Sequence, residues 1–173
     1  MTRKIIIFTL LLNSIIPYSN AQKLTIDSIV GRWVLYQQSL DSSLIYDVTN
    51  PRVMMKYSFW NLKKLKPNYT ISDSLKLVEN VEAKLVDFKK MFIQFNVDST
   101  YTNRKIKGGG KVTDDVEEGR FVVNVEDQTL TQTDLTGRTL TTKVILSDGI
   151  LRLIFDYPRP FELAYKKALT TTH

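Results

Sequence analysis

An antiparallel, up-and-down β meander carrying one helix is the fold class that this 173-residue chain predicts, and three observations predict it. From residue 91 onward apolar side chains recur at every second position, which sets them on one face of a strand. The links between those runs are short turn clusters, and short links join antiparallel neighbours because a parallel crossover needs a dozen or more residues. One segment, residues 73–91, instead repeats its apolar residues three and four apart, the period of a helix face.

The amino terminus comes first and is set aside from the fold. Arg3 and Lys4 are positive, Ile5 to Ile16 form an apolar run broken only by Thr9, Asn13 and Ser14, and Ser19-Asn20-Ala21 puts small residues where a signal peptidase inspects them. Residues 1–21 therefore read as a signal peptide cleaved after Ala21. The apolar run has 12 residues, short of the roughly 20 that a spanning helix needs. The expected product is a single exported domain, residues 22–173, periplasmic or extracellular in a bacterial host and without stable membrane insertion.

Within that domain, Tyr46-Asp47-Val48-Thr49-Asn50-Pro51 reads as a loop, Val53 to Trp60 as a strand, and Lys63 to Asn68 as polar and irregular. The helix follows, with Val78, Val81, Leu85, Phe88 and Phe92 along one face. Ser72 or Ser74 can cap its start, while Asp73 lies near the positive end of the dipole and Lys89 and Lys90 near the negative end. Its expected role is to pack on, or plug, a sheet.

The strands come next. Ile93, Phe95 and Val97 share a face, and Asp98-Ser99 turns the chain into Thr100-Tyr101. Phe121, Val123 and Val125 define another strand, as do Thr142, Val144 and Leu146, then Leu151, Leu153 and Phe155, then Phe161, Leu163 and Tyr165. Asp127-Gln128, Thr136-Gly137, Asp148-Gly149 and Pro158-Arg159-Pro160 are the turn-forming clusters between them. Gly108-Gly109-Gly110-Lys111 is not a phosphate loop, because Val112-Thr113 leads into an acidic turn rather than Ser/Thr at a helix start.

Composition excludes much chemistry. There is no cysteine, and the one histidine is His173. Disulfide scaffolds, thiolate zinc sites, Cys–His nucleophiles and Ser–His–Asp triads all lack their residues. Asp114-Asp115 and Glu117-Glu118 are neighbours in one turn, whereas a glycosidase needs two carboxyls held across a bond on separate supports. Clustered oxygens of that kind suit calcium better, but their spacing is not that of an EF-hand loop. No catalytic residue, metal site or cofactor is expected, and the chain reads as a non-enzyme.

Charge points to no polymer partner by itself. The net charge is +6, and without residues 1–21 it is +4, with 22 basic and 18 acidic residues. Residues 52–90 carry nine Lys or Arg against four acids, including Phe59-Trp60-Asn61-Leu62-Lys63-Lys64-Leu65-Lys66. Aromatics interleaved with lysines suit single-stranded nucleic acid, but export argues against that partner. A solvated basic face is expected there.

One motif carries a resemblance. Ile26-Asp27-Ser28-Ile29-Val30-Gly31-Arg32-Trp33 places Gly-x-Trp after a stretch able to make a helical turn and at the opening of the first strand. This resembles the start of lipocalin-like proteins of the calycin group, and most closely the short lipocalin-like domains of exported bacterial proteins. The resemblance implies a closed barrel of about eight strands with one helix inserted near residues 73–91. In it Gly31 permits a close backbone turn, and Trp33 closes the barrel bottom against a basic residue of a late strand, Arg152 or Lys166. An open β-sandwich covered by the helix is the alternative architecture.

A barrel of eight strands is either filled by side chains or holds one small ligand. The expected lining is Leu35, Phe95, Val97, Phe121, Val123, Val144, Leu151, Leu153 and Phe155, with Tyr101 or Gln37 available for a polar contact. Such a wall favours a small hydrophobic or amphipathic ligand. The alternative is a filled core whose outer surface, Phe59-Trp60 with Lys63, Lys64 and Lys66, meets a protein or an anionic polymer.

Overall fold

Nine strands and three helices make up the computed structural model, which describes residues 22–105, 116–156 and 159–169. The chain opens with helix α1 (Ile26–Ile29) and strands β1 (Gly31–Leu40) and β2 (Ser43–Asp47). Two helices follow, α2 (Arg52–Leu65) and α3 (Ile71–Phe88). The remainder is all strand: β3 (Phe92–Phe95), β4 (Thr100–Arg104), β5 (Val116–Asn124), β6 (Thr129–Asp134), β7 (Thr139–Ser147), β8 (Ile150–Phe155) and β9 (Phe161–Lys167). Residues 1–21, read above as a signal peptide, lie outside the described residues, as do the triple glycine, Asp114-Asp115, Pro158 and His173.

Every strand pairing is antiparallel, and β9 returns to β1, so β1 and β3 to β9 form a closed eight-stranded barrel. The sandwich alternative is thereby replaced. Closure depends on β1, whose ten residues serve three neighbours. One edge pairs with β9, while the other pairs with β3 through Gly31–Val34 and with β2 through Gln37–Leu40. Register shifts around Tyr36 and at Gln38/Ser39 bend the strand enough for this handover.

Local chemistry explains the tight links. Asp148 and Gly149 have φ of 52° and 71°, as do Asp41 and Ser42 at 48° and 61°, so both hairpins turn with two left-handed residues. Such turns match the twist of the flanking strands, and Gly149 meets that requirement without a Cβ penalty. The turns at Asp98-Ser99, Asp127-Gln128 and Thr136-Gly137 also lie between strands as expected.

Residues 39–70 differ from the sequence reading. Val53 to Trp60 is helix rather than strand, and Tyr46-Asp47, read as the start of a loop, end strand β2 instead. The odd positions Val53, Met55, Tyr57 and Phe59 are all apolar, which imitates a strand face. Yet Met, Leu, Lys and Arg favour helix, and no Gly interrupts the run until Pro67 ends it. Strand β3 is also short: Val97 falls in the turn and is 81% exposed, so it leaves the lining set.

Helix α3 starts at Ile71, two residues earlier than expected. Its cap is Thr70 rather than Ser72 or Ser74: the Thr70 hydroxyl accepts from the Asp73 N–H, and the Asp73 carboxylate accepts from the Thr70 N–H at 2.8 Å. The helix stops at Phe88, so Phe92 belongs to a strand. Met54 of α2 and Val81, Leu85 and Phe88 of α3 join the apolar core, where the Phe88 ring meets Tyr46 edge-on at 4.9 Å. The expected packing of helix on sheet is what forms.

Candidate functional site

The two ends of the barrel are built differently, and the difference locates the site. At one end Leu24, Ile29 and Trp33 are buried with Phe95, Phe121, Leu130, Leu146 and Leu151 in one apolar cluster. The indole N–H of Trp33 donates to the Ile29 carbonyl at 2.6 Å, tying the tryptophan to α1. Helix α1 is itself held by a reciprocal cap between Thr25 and Ser28.

The basic group beside Trp33 is Lys167, whose Nζ stands 5.4 Å from the ring centroid. The expected Arg152 and Lys166 are therefore corrected. Both alternate with inward residues and so face outward, where Arg152 pairs with Glu162 and Lys166 lies over Tyr36. Lys167 shares the parity of Leu163 and Tyr165 and sits opposite Trp33 in the register. Gly31 has φ +122°, a backbone conformation that L side chains rarely adopt, so its glycine is needed for conformation; a Cβ there would stand 3.1 Å from the Lys167 Cε, the flexible end of a side chain that can give way.

At the other end β4, β6 and β8 finish and β5, β7 and β9 begin, and the barrel opens. A cavity of about 300 Å³ occupies this mouth. Its apolar wall is Met91, Leu140, Leu153, Phe155 and Leu163, and its polar wall includes Tyr101, Asn103, Lys105, Glu117, Gln132, Asp134, Arg138 and Tyr165.

The charges of the mouth are paired with one another. The Tyr101 hydroxyl donates to Glu117 Oε1 at 3.0 Å, and the Lys105 ammonium grips Oε2 of the same carboxylate. Burial, then the hydrogen bond to Glu117 and its negative charge, push the Tyr101 phenol above its ordinary range. The Asp134 carboxylate accepts from Thr136 Oγ1 at 2.6 Å and from Arg138 Nε at 2.9 Å. The Thr136 bond foremost, opposed by burial and reinforced by Arg138, lowers it to about 2.

Three neutral polar groups are left over. Asn103 Oδ1 is buried with no hydrogen-bond partner. Gln132 and Tyr165, both buried, make no side-chain hydrogen bond among the described residues. Burial drives the Tyr165 phenol upward, so it stays neutral. Buried polar groups are normally satisfied; the buried Asn103 Oδ1 without a partner, with the Gln132 amide and Tyr165 hydroxyl beside it in the cavity wall, leaves a site for an incoming partner.

The expected lining set is thus divided. Leu153 and Phe155 line the cavity. Leu35, Phe95, Phe121, Val144 and Leu151 are consumed in the filled part of the core, against which Val123 packs partly buried. Of the two expected polar contacts, Tyr101 reaches the cavity, whereas Gln37 turns to Asp47 at 2.9 Å. Asn103, Glu117, Gln132, Asp134 and Arg138 were missed. For the first four, the signal was strand parity carried past the last apolar residue: Tyr101 leads to Asn103, Leu130 to Gln132 and Asp134, Phe121 to Gly119 and Glu117. Among the described residues no three His, Asp or Glu side chains converge to hold a metal.

These features define the class of the molecule: a closed antiparallel β-barrel of eight strands, sealed at one end and open to a mixed apolar and polar cavity at the other. No protein-family model matches the chain, and no curated protein matches it. Among solved structures, a DUF4847 family protein from Bacteroides vulgatus aligns over 80% of this chain and 92% of its own, with 12% identity and a TM-score of 0.47. That likeness assigns no role. No helix among the described residues is long and apolar enough to cross a membrane.

Proposed function

We propose that this protein binds one small amphipathic molecule in the barrel mouth, without catalysis, and that it does so as an exported protein. The observation that carries the reading is the buried, unpartnered Asn103 Oδ1 in a cavity that the Gln132 amide and Tyr165 phenol also line and whose remaining wall is largely apolar. The cavity lies at the lower end of the range of about 300–1,000 Å³ typical of ligand sites, so a ligand with a short apolar part fits it.

The polar part should be neutral. Lys105 and Arg138 already neutralise Glu117 and Asp134, so an anionic head would meet two carboxylates and displace a bonded cation. Asn103 and Gln132 present amides, which supply both donor and acceptor. A hydroxyl or amide head matches them.

Displacement of the neutral dye N-phenylnaphthylamine tests this. The dye should bind, octanol and octanamide should displace it, and octanoate should compete at least about fivefold less well, the worth of one net hydrogen bond. Leu153→Trp, which pushes an indole into the cavity, should abolish dye binding. No dye binding, or binding indifferent to Leu153→Trp, would sink the proposal. Export rests on Arg3, Lys4 and the apolar run to Ile16, and protein recovered from its host's envelope fraction should begin at Gln22.

A further inference from the structure

The α2–α3 hairpin offers a surface of another kind, carried by residues that take no part in the mouth. Residues 63–72, from the last turn of α2 through the first two positions of α3, are exposed without interruption. They include Leu65 at 83% and Ile71 at 82% exposure, with Tyr69 between them, and Leu75 follows one turn after Ile71 on the same helix face. Large apolar side chains gathered at an exposed tip mark an interaction surface rather than scattered surface residues.

Charge says what kind of partner fits. Helix α2 carries Arg52, Lys56, Lys63 and Lys64 and no acidic residue, and Lys66 follows it directly. Lys66 is committed to Asp73 at 2.8 Å. Lys63 and Lys64 form no ion pair among the described residues, and Lys64 instead stands 5.1 Å from the centroid of the exposed Trp60 ring. Trp60 is in turn stacked on Tyr57, 6.2 Å between centroids.

We infer that this tip docks on an anionic lipid surface, Leu65, Tyr69 and Ile71 entering the bilayer interface and Lys63 and Lys64 meeting the lipid phosphates. The dimensions agree. Trp60 lies five residues behind Leu65, about 7.5 Å along a helix axis, and interfacial apolar groups bury about 5–10 Å deep. With Leu65 inserted, Trp60 and its cation sit at headgroup level, where tryptophan and lysine are favoured. The docking is reversible, since a single shallow tip lacks the apolar length of a spanning helix.

Flotation with vesicles of phosphatidylcholine, with or without phosphatidylglycerol, tests the inference on the full mature chain. Binding is expected only with phosphatidylglycerol. Lys63→Gln with Lys64→Gln should weaken it roughly twenty-five-fold, at about a factor of five for each basic residue near an anionic surface. Leu65→Asp with Ile71→Asp should abolish it. All four positions are solvent-exposed, and unchanged melting would confirm that the variants fold. Brominated lipid should quench Trp60 and spare Trp33, which is buried at the sealed end. Absence of binding to anionic vesicles overturns the inference, as does equal binding to neutral ones or binding insensitive to the Asp substitutions. A concentration-dependent dimer that Ile71→Asp dissolves, seen without vesicle binding, also overturns it and reassigns the tip to a second copy of the chain.

Discussion

The sealed end and the mouth of this barrel are made by the same strands, yet one is a packed core and the other a cavity. The difference lies in what each strand points inward as it rises. β6 presents Leu130, then Gln132, then Asp134; β4 presents Tyr101 and then Asn103; β5 presents Phe121, the side-chain-free Gly119 and then Glu117. Low in the barrel the inward residues are mostly large and apolar, and the buried Thr142 hydroxyl is satisfied by the Leu130 carbonyl, so the space fills at the density of a protein interior. Higher up the inward residues turn polar and their charges pair across strands, which leaves room between them. A filled core and a cavity are therefore not alternatives here; each occupies one end of the barrel.

Breaking the sealed end should cost most. Trp33→Ala removes a buried indole and its bond to Ile29, and equilibrium denaturation should show a loss of about 3–5 kcal/mol. A loss below about 1 kcal/mol would mean that Trp33 does not seal the barrel.

Gly119 stands at the boundary between the halves. A Cβ there would fall 2.1 Å from the Thr133 carbonyl oxygen and 2.8 Å from Tyr101 Cε1. Since backbone cannot yield as a flexible side chain does, Gly119→Ala should destabilise by about 1–3 kcal/mol. The Tyr101–Glu117 contact should loosen with it, visible as a shift in the Tyr101 ring resonances.

The mouth should respond in the opposite sense. Asn103→Leu replaces an unsatisfied buried polar group, so stability should hold or rise by up to about 1 kcal/mol while octanol displaces the dye about fivefold less well. Stability and binding falling together would show that Asn103 serves the fold instead.

Acid should separate the ends further. Asp134 is depressed to about 2 in the folded chain, below its unfolded value near 4. A depressed carboxylate contributes stability above the unfolded value and loses it as pH falls through the folded one. Between about pH 4 and pH 2 the turn from Asp134 to Arg138 should lose its hydrogen-exchange protection, while the amides around Trp33 and Leu151 keep theirs. Simultaneous loss at both ends would erase the distinction drawn between them.

Much of the barrel was legible because strand alternation is a local signal. Leu151, Leu153 and Phe155 share a face whatever lies opposite them, and Asp148-Gly149 turns as its own backbone preferences require. Helix α2 was hard to read, because its apolar residues also satisfy a period of two; the helix-favouring Met, Leu, Lys and Arg point the other way, and packing of Met54 into the core fixes the helix. The site was half legible. Apolar lining positions announce themselves, whereas an inward Asn103 or Gln132 looks like a surface residue until the neighbouring strands enclose it.

By itself, then, the sequence determined most of the strands after residue 91, their inward faces, the tight hairpins and the importance of Gly31 and Trp33. The tertiary structure decided what depends on register across distant strands: that β9 closes on β1, that Lys167 rather than Arg152 meets Trp33, and that the polar upper residues converge. Alternation assigns a side chain to a face, but height on that face is set by pairing. Height separates a core residue from a cavity wall.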